Sequence, residues 1–292
     1  MGGTDVKETL LVVGAGQMGS GIAHLAAQSG LSVHLTDQDM TQVERGLGRI
    51  RQFTARDVDK GRLTADQAAD VLKRIEPVWD IAQGAKGVSF AIEAVVERVD
   101  VKQAVFSALD AHLESDAVIA TNTSSISITQ LATSVRDPSR VVGMHFFNPP
   151  VVMELVEVIR GLGSSDQAVR RAKDLAAKMG RTAIEVKKDS PGFVVNRILM
   201  PFLAEAVKVY SEGLASAEDI DTAVRLGLNH PMGPLTLLDF TGIDVCLDVM
   251  DYFHRELGQG EYAPPIEMRR LVRAGRLGKK ARAGFFDYPE VP

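Results

Sequence analysis

Short apolar runs alternate with amphipathic, charged segments over roughly the first 190 residues of the chain. The run at 10–13 is apolar at every position, as expected of a parallel strand buried on both faces. Further strands are predicted at 33–36, 88–92, 117–120, 141–147, 155–159 and 182–186, and helices at 18–28, 40–74, 102–113 and 168–179. Lys-Gly-Arg at 60–62 breaks the helical segment 40–74, and Thr64 to Gln67 resembles a capping box. Alternating strands and helices predict an α/β fold with a doubly wound, mostly parallel Rossmann-type sheet.

The pattern changes at Asp-Ser-Pro-Gly, residues 189–192. Beyond it the strand signal is weak, and apolar residues recur at helical spacing over 193–210. Ser216 is a predicted cap for another helix, which runs to about residue 226. Because 292 residues are many for one core, we predict two domains, residues 1–190 with the sheet and an all-helical C-terminal domain of residues 191–292.

Composition narrows the classes of function. An apolar content of 45% and a charged content of 24% are typical of a soluble globular protein. The net charge of −5 argues against nucleic acid as a partner, but does not exclude an anionic small molecule. Cys246 is the single cysteine, which fits a reducing compartment. With no signal peptide and no apolar run of membrane-span length, we expect a cytoplasmic protein without a membrane partner, and predict no metal site.

A glycine-rich motif follows the first predicted strand and opens the first predicted helix. It consists of Gly14, Ala15, Gly16, Gln17, Met18 and Gly19. In a dinucleotide-binding fold the first glycine makes the turn, the second admits a pyrophosphate and the third allows close helix packing. Asp37 ends the second predicted strand, where a carboxylate binds ribose hydroxyls and repels a 2′-phosphate. The motif therefore predicts NAD rather than NADP, the alternative being a strand–turn–helix with no nucleotide.

A histidine and a glutamate lie on either side of a proline-rich turn. His145 is near the end of one apolar strand, Glu157 lies on the next, and Asn-Pro-Pro at 148–150 separates them. If the chain reverses near Val151, the two side chains face each other. A carboxylate beside an imidazole fixes its tautomer and favours its protonated form, which makes a general base near neutral pH. The alternative is a buried histidine paired by chance with a glutamate.

Polar residues at 121–125 follow the predicted strand 117–120, at the edge where ligands bind in open α/β sheets. Ser125 is a candidate cap for the next helix, while Ser124 is a candidate for the cleft. Asn196 is the one amide on an apolar helical segment. Such a buried amide either ties down backbone or contacts a substrate oxygen, and its spacing favours neither.

These motifs, in this order, resemble short-chain 3-hydroxyacyl-CoA dehydrogenases of the 3-hydroxybutyryl-CoA dehydrogenase type. The resemblance covers about residues 11–286 and rests on GAGQMGSGIA, EAVVER, NTSS, HFFNPP, LVEV, DSPGFVVNR and PMGP. It implies reversible NAD-dependent oxidation of a (3S)-3-hydroxyacyl-CoA of short chain to the 3-oxoacyl-CoA. It also implies a homodimer formed through the helical domain.

The resemblance assigns roles to individual residues. It makes His145 the base for the 3-hydroxyl, Glu157 its orienting partner, and Ser124 and Asn196 the groups that hold the reacting oxygen. Besides the glycine motif and Asp37, the residues assigned to the cofactor are Glu97, Lys102, Asn122, Asn148 and Lys280. Without the resemblance, Glu97 and Lys102 are interpreted as a solvated pair at the start of a helix.

A basic stretch in this acidic protein suits the phosphates of coenzyme A. It consists of Arg51, Arg56, Lys60 and Arg62. Lys60 matches the family best and is assigned to coenzyme A with Arg56 and Ser124, whereas a solvated helix face is the alternative. Phe53 and Glu154 depart from the family pattern and leave the coenzyme A contacts and the acyl-chain preference open. The run 280–286 lacks one glycine and one tyrosine of the family pattern, at Arg282 and Phe286, which leaves the contacts assigned to Lys280 open.

Three other functions are alternatives to this one. A dehydrogenase of the same fold that oxidises a free sugar acid, such as gulonate, would not need the basic stretch. A 3-hydroxyacid dehydrogenase of another type would use a lysine base, for which 187–188 is the candidate. A non-catalytic NADH-binding protein, of the kind found among lens crystallins, would bind NADH without turnover.

Overall fold

The computed structural model describes residues 9–289, and this part of the chain divides into two compact units. One unit ends at Phe193 and the other begins at Val194. The strands of the first unit are β1 Thr9–Val13, β2 Ser32–Thr36, β3 Ile75–Pro77, β4 Phe90–Glu93, β5 Val118–Thr121, β6 Val141–Phe146, β7 Leu155–Arg160 and β8 Thr182–Val186. Its helices are α1 Gln17–Gln28, α2 Met40–Asp59, α3 Ala65–Lys73, α4 Ile81–Gly84, α5 Val99–His112, α6 Ile128–Ala132 and α7 Asp166–Lys178.

The strands form one eight-stranded sheet in the order β3-β2-β1-β4-β5-β6-β7-β8. All neighbouring strands are parallel except β6 and β7. Strand β1 lies inside the sheet, and the order in which the strands are added reverses between β1 and β4, which creates a crevice at their carboxyl ends. The predicted doubly wound, mostly parallel fold is confirmed.

Strand β1 shows why continuous apolar runs form the centre of the sheet. Leu10 and Val12 belong to the core on one face, and Leu11 and Val13 to the core on the other. All four side chains are buried. A strand covered on both faces by helices needs apolar residues at every position, not at alternate ones.

The pattern of apolar and polar residues does not predict strand β3. Strand β3 has three residues, lies at the edge of the sheet beside β2, and directly follows the segment predicted as helical. That segment is broken into α2 and α3 as predicted, and Thr64 and Gln67 form the predicted capping box at the start of α3.

The second unit is built from α8 Val195–Ser211, α9 Ala217–Gly227, α10 Pro234–Thr241, α11 Ile243–Leu257 and α12 Ile266–Arg273. These helices share a core that includes Leu203, Leu238 and Phe253. The buried Asp239 accepts hydrogen bonds from the backbone N–H groups of Phe285 and Phe286 and so fastens the last described segment. Among residues 9–289, no helix has the length and apolar character required to cross a bilayer.

Candidate active site

The glycine motif takes the shape that a dinucleotide requires. Gly14 has φ +107°, and a Cβ there would lie 2.5 Å from the carbonyl oxygen of Ala94. A Cβ on Gly19 would lie 1.8 Å from the carbonyl oxygen of Gly14, so only glycine allows α1 to start so close to β1. Gly16, in contrast, faces open space with no atom within 4 Å of a Cβ. The residue at the N-cap of α1 is Gly16, which has no side chain to bind the first N–H groups of the helix, so these groups can face a phosphate.

Asp37 lies directly beside this loop, just after β2. Its Oδ2 accepts a hydrogen bond of 2.6 Å from Ala15 N, and its Oδ1 accepts one of 2.7 Å from Gln38 N. Asp37, Gly16 and Gln17 line one cavity of about 880 Å³. Open space at Gly16, an uncapped helix and a fixed carboxylate fit the pyrophosphate and ribose of NAD, and the carboxylate would repel a 2′-phosphate.

The antiparallel pairing of β6 and β7 brings His145 and Glu157 directly opposite each other. His145 Nδ1 lies 2.7 Å from Glu157 Oε2, and the side chains are 7% and 0% exposed. Phe147 and Phe193 pack against the imidazole, with ring centroids 4.5 and 5.6 Å away. Because Nδ1 is hydrogen-bonded to the carboxylate, Nε2 is the ring nitrogen that can exchange a proton with a substrate.

A second cavity, of about 370 Å³, opens at this imidazole. Several residues predicted for catalysis or cofactor binding line it together: Gln17, Met18, Glu97, Asn122, Ser124, His145 and Asn148. His145 lies near the end of β6, and the others come from the start of α1 and from the segments that follow β4, β5 and β6. The carboxyl edge of the sheet thus gathers them beside one space.

Glu97 organises the loop that carries Ser124. Its Oε1 accepts hydrogen bonds from Thr123 Oγ1 at 2.5 Å and from Ser124 N at 3.0 Å. Burial alone would raise the pKa of Glu97, but Lys102 and the Thr123 hydroxyl outweigh it and hold the pKa below its usual range. The carboxylate therefore stays ionised and fixes the loop beside His145.

Lys102 is not a solvated side chain, so the alternative interpretation of Glu97 and Lys102 as an exposed pair is wrong. Lys102 is 1% exposed, and its Nζ lies 2.6 Å from Glu93 Oε1 and 3.3 Å from Glu97 Oε2. Glu93 is fully buried at the end of β4, and its Oε2 accepts a 2.7 Å hydrogen bond from Thr121 Oγ1. Burial raises the pKa of Glu93, an effect that Lys102 opposes.

Glu93 was missed by the sequence analysis. The available signal was a glutamate that ends an otherwise apolar strand, since a charge in such a place needs a partner. The partner comes from α5, nine residues further along the chain. Sequence spacing alone does not show that the helix turns its lysine back toward the strand end.

Two amides hold neighbouring segments of the site together. Asn122 Oδ1 accepts a 2.9 Å hydrogen bond from Phe146 N, which ties the end of β5 to the end of β6. Gln17 Nε2 donates a 2.8 Å hydrogen bond to Asn148 Oδ1. The start of α1 is thereby joined to the segment after β6.

The helix after β5 begins later than expected. Ser127, not Ser125, caps α6 by accepting a hydrogen bond from Gln130 N, so the prediction for Ser125 is wrong. Thr123 Oγ1 accepts hydrogen bonds from the N–H groups of Ser125 and Ile126, which forms a local turn before the helix can start.

Two predicted site residues lie in the second unit. Asn196 is half-buried at the start of α8. Lys280 Nζ lies 2.6 Å from Asp244 Oδ1. Their contacts with cofactor and substrate stay predictions.

Of the residues predicted for coenzyme A, Arg56 lies on α2 and Lys60 just after it, whereas Ser124 follows β5. Arg56 and Lys60 are exposed, so the structure leaves them accessible to an anion. Phe53 packs edge-on against the buried ring of His24, with ring centroids 5.9 Å apart. An aromatic residue at that position therefore has a packing role.

The other departures from the family pattern are also placed by the structure. Glu154 is exposed shortly before β7. Arg282 has φ +59°, the left-handed conformation that glycine adopts most easily, at the place where the family pattern has glycine. Phe286 packs against the core of the second unit.

Comparisons with known proteins indicate the same family along almost all of the described chain. The family described as 3-hydroxyacyl-CoA dehydrogenase, NAD binding domain, matches residues 9–190, and its C-terminal domain matches residues 192–288. A protein of Bacillus subtilis named probable 3-hydroxybutyryl-CoA dehydrogenase is 45% identical over 98% of this chain and 99% of its own length. One of Bradyrhizobium diazoefficiens, named 3-hydroxybutyryl-CoA dehydrogenase, is 42% identical over 95% of this chain and 94% of its own.

Solved structures are equally similar. The crystal structure of (S)-3-hydroxybutyryl-CoA dehydrogenase from Ralstonia eutropha superposes with a TM-score of 0.94 at 42% identity. The match covers 97% of this chain and 99% of the other. These matches confirm the predicted family and, through its NAD binding domain, the predicted cofactor.

Proposed function

The chain belongs to the 3-hydroxyacyl-CoA dehydrogenase family, and on that premise we propose that it interconverts a short-chain (3S)-3-hydroxyacyl-CoA and its 3-oxoacyl-CoA with NAD. The proposed substrate is 3-hydroxybutyryl-CoA, after which the three relatives described above are named. The observation that carries the proposal is the buried His145–Glu157 pair in a cavity that Gln17 and Met18, from the start of α1, also line.

The proposed chemistry is a proton transfer coupled to a hydride transfer. When bound, NAD supplies the hydride acceptor. His145 Nε2 takes the proton of the 3-hydroxyl group. Loss of this proton favours departure of hydride from C3, the carbon that carries the hydroxyl. Glu157 accepts the hydrogen bond from Nδ1 and stabilises the imidazolium that forms, because its carboxylate is buried 2.7 Å away. We assign Ser124 to the substrate oxygen, since it lines the same cavity as His145.

We assign coenzyme A to the exposed basic residues Arg56 and Lys60. They carry positive charge in a chain whose net charge is −5, and phosphate groups favour such clusters. If the substrate were a free sugar acid, which has no coenzyme A phosphates, these residues would have no role in binding it. The assignment would be supported if a substitution of Lys60 weakened the binding of an acyl-CoA and left the binding of a free acid unchanged.

We further propose a homodimer formed through the second unit. Large apolar side chains are exposed there: Ile198, Leu226, Leu228, Phe240 and Ile266. Exposed apolar surface of this kind favours association of subunits. Sedimentation analysis should give twice the mass of the 31.5 kDa chain, and a monomer would refute this part of the proposal. A cytoplasmic location stays a prediction.

The test of the function is NADH oxidation with acetoacetyl-CoA. We expect rapid turnover with acetoacetyl-CoA, slower turnover with longer 3-oxoacyl-CoAs, and little with NADPH. In the opposite direction, 3-hydroxybutyryl-CoA should reduce NAD, whereas gulonate should not. Turnover of gulonate without turnover of any acyl-CoA would overturn the substrate assignment, and NADH binding without any turnover would favour a non-catalytic protein.

A further inference from the structure

The chain has one tryptophan, Trp79, and its side chain is 73% exposed. The backbone around it is firmly held, because Trp79 N donates a 3.0 Å hydrogen bond to Gln83 Oε1 and Asp80 caps α4 through Gln83 N. A large aromatic ring that is exposed to solvent on a fixed backbone is well suited to bind a ligand with an apolar face.

The sheet register places Trp79 beside the cofactor loop. Strand β3 runs parallel to β2 with Leu35 opposite Pro77. Asp37 and Trp79 each lie two residues beyond this pair, so both follow the carboxyl ends of their neighbouring strands. Both line the cavity of about 880 Å³ that also contains Gly16.

The parts of a dinucleotide can be distributed along this cavity. The phosphates belong at the glycine motif and the start of α1, and the ribose at Asp37. The base attached to that ribose needs a further part of the same cavity, whose lining also includes Trp79, Ile81 and Val96. Val96 is itself 63% exposed. Two exposed apolar side chains thus border the space that remains for a flat aromatic ring.

We propose that Trp79 stacks on the adenine ring of NAD and thereby determines a large part of the affinity for the cofactor. This inference rests on the proposed function, since the ligand is its cofactor. Loss of aromatic stacking on a nucleic-acid base, on substitution by alanine, lowers affinity by about 5- to 150-fold. The substitution W79A should therefore raise the Kd of NADH by about that factor, whereas W79F, which keeps a stacking ring, should recover most of the affinity.

The single tryptophan makes the contact directly observable. Fluorescence of Trp79 is followed on addition of ADP-ribose, which contains the adenine but lacks the nicotinamide ring that absorbs tryptophan emission in NADH. Calorimetry measures the Kd of ADP-ribose and NADH independently of fluorescence. L162A is the matched control, because Leu162 is 90% exposed and does not line either described cavity.

We expect ADP-ribose to quench Trp79 with the Kd found by calorimetry, nicotinamide mononucleotide to leave the emission unchanged, and L162A to bind NADH like the parent protein. NADH binding at parental affinity in W79A, together with unchanged Trp79 fluorescence of the parent protein on addition of ADP-ribose, would overturn the inference and leave the proposed function intact. Equal losses in W79F and W79A would show that the segment matters rather than stacking, which also overturns it. Failure of the parent protein to bind NADH would overturn the proposed function and this inference together.

Discussion

Substitution of Glu93 by glutamine should strongly destabilise the first unit without changing the size of the side chain. Glu93 is fully buried and its Oε1 lies 2.6 Å from the Nζ of Lys102, which is 1% exposed. The glutamine keeps an oxygen for one hydrogen bond but removes the charge that balances the buried ammonium. Removal of one member of a buried ion pair costs about 3–5 kcal/mol.

The remaining partners of Lys102 set the magnitude within that range. Glu97 Oε2 is 3.3 Å away, but its side chain is 39% exposed and its charge is partly screened by water. Glu97 therefore compensates for Glu93 in part, and we expect a loss near the lower end, about 3 kcal/mol. For a unit of this size each kcal/mol corresponds to about 2–4 °C, so the unfolding temperature should fall by about 6–12 °C.

Thermal unfolding followed by circular dichroism measures this effect. The exposed pair of Lys73 and Asp70, 3.5 Å apart, provides the control, and D70N should shift the unfolding temperature by about 1 °C or less. The double variant E93Q/K102M should lose less than the sum of its single variants, because it removes both buried charges. Equal shifts for E93Q and D70N, or strictly additive losses, would refute a buried ion pair between Glu93 and Lys102.

Two further results are expected. D37A should raise KM for NADH by about 10- to 100-fold and weaken the preference for NADH over NADPH, because it removes a charged hydrogen-bond acceptor. Steady-state kinetics with both cofactors measure these changes. An unchanged cofactor preference would contradict the role of Asp37. Burial lowers the pKa of His24, which lies 3.1 Å from Asp57 and is also influenced by Arg181. The unfolded chain then binds a proton more readily, so stability should fall as the pH decreases from about 7 to about 5, by at most about 1.4 kcal/mol per pH unit from this group. H24Q should flatten that dependence in urea unfolding, and parallel curves would show that His24 does not contribute.

The parts of the fold that local pattern encodes were predictable. A continuous apolar run followed by Gly14, Gly16 and Gly19 specifies a strand, a tight turn and a helix within one short segment, so no distant contact is needed to interpret it. The facing of His145 and Glu157 was predictable for a similar reason. The proline-rich turn between them reverses the chain, and two antiparallel strands then fix which residues are opposite.

What could not be predicted depends on distant contacts or on short elements. The burial of Lys102 depends on the return of α5 to the end of β4, which its spacing from Glu93 does not reveal. The position of Trp79 depends on β3, whose three residues are too few to show a period. The start of α6 at Ser127 depends on a turn closed by Thr123, since several neighbouring hydroxyls were equally suitable caps.

The most direct test of the account is turnover of acetoacetyl-CoA by H145Q beside its affinity for NADH. Loss of the general base should lower kcat by about 100- to 10,000-fold. The Kd of NADH, measured by calorimetry, should stay within about twofold, because the glycine motif and Asp37 lie outside the His145–Glu157 pair. Turnover by H145Q equal to that of the parent protein would contradict the assignment of His145 as the base.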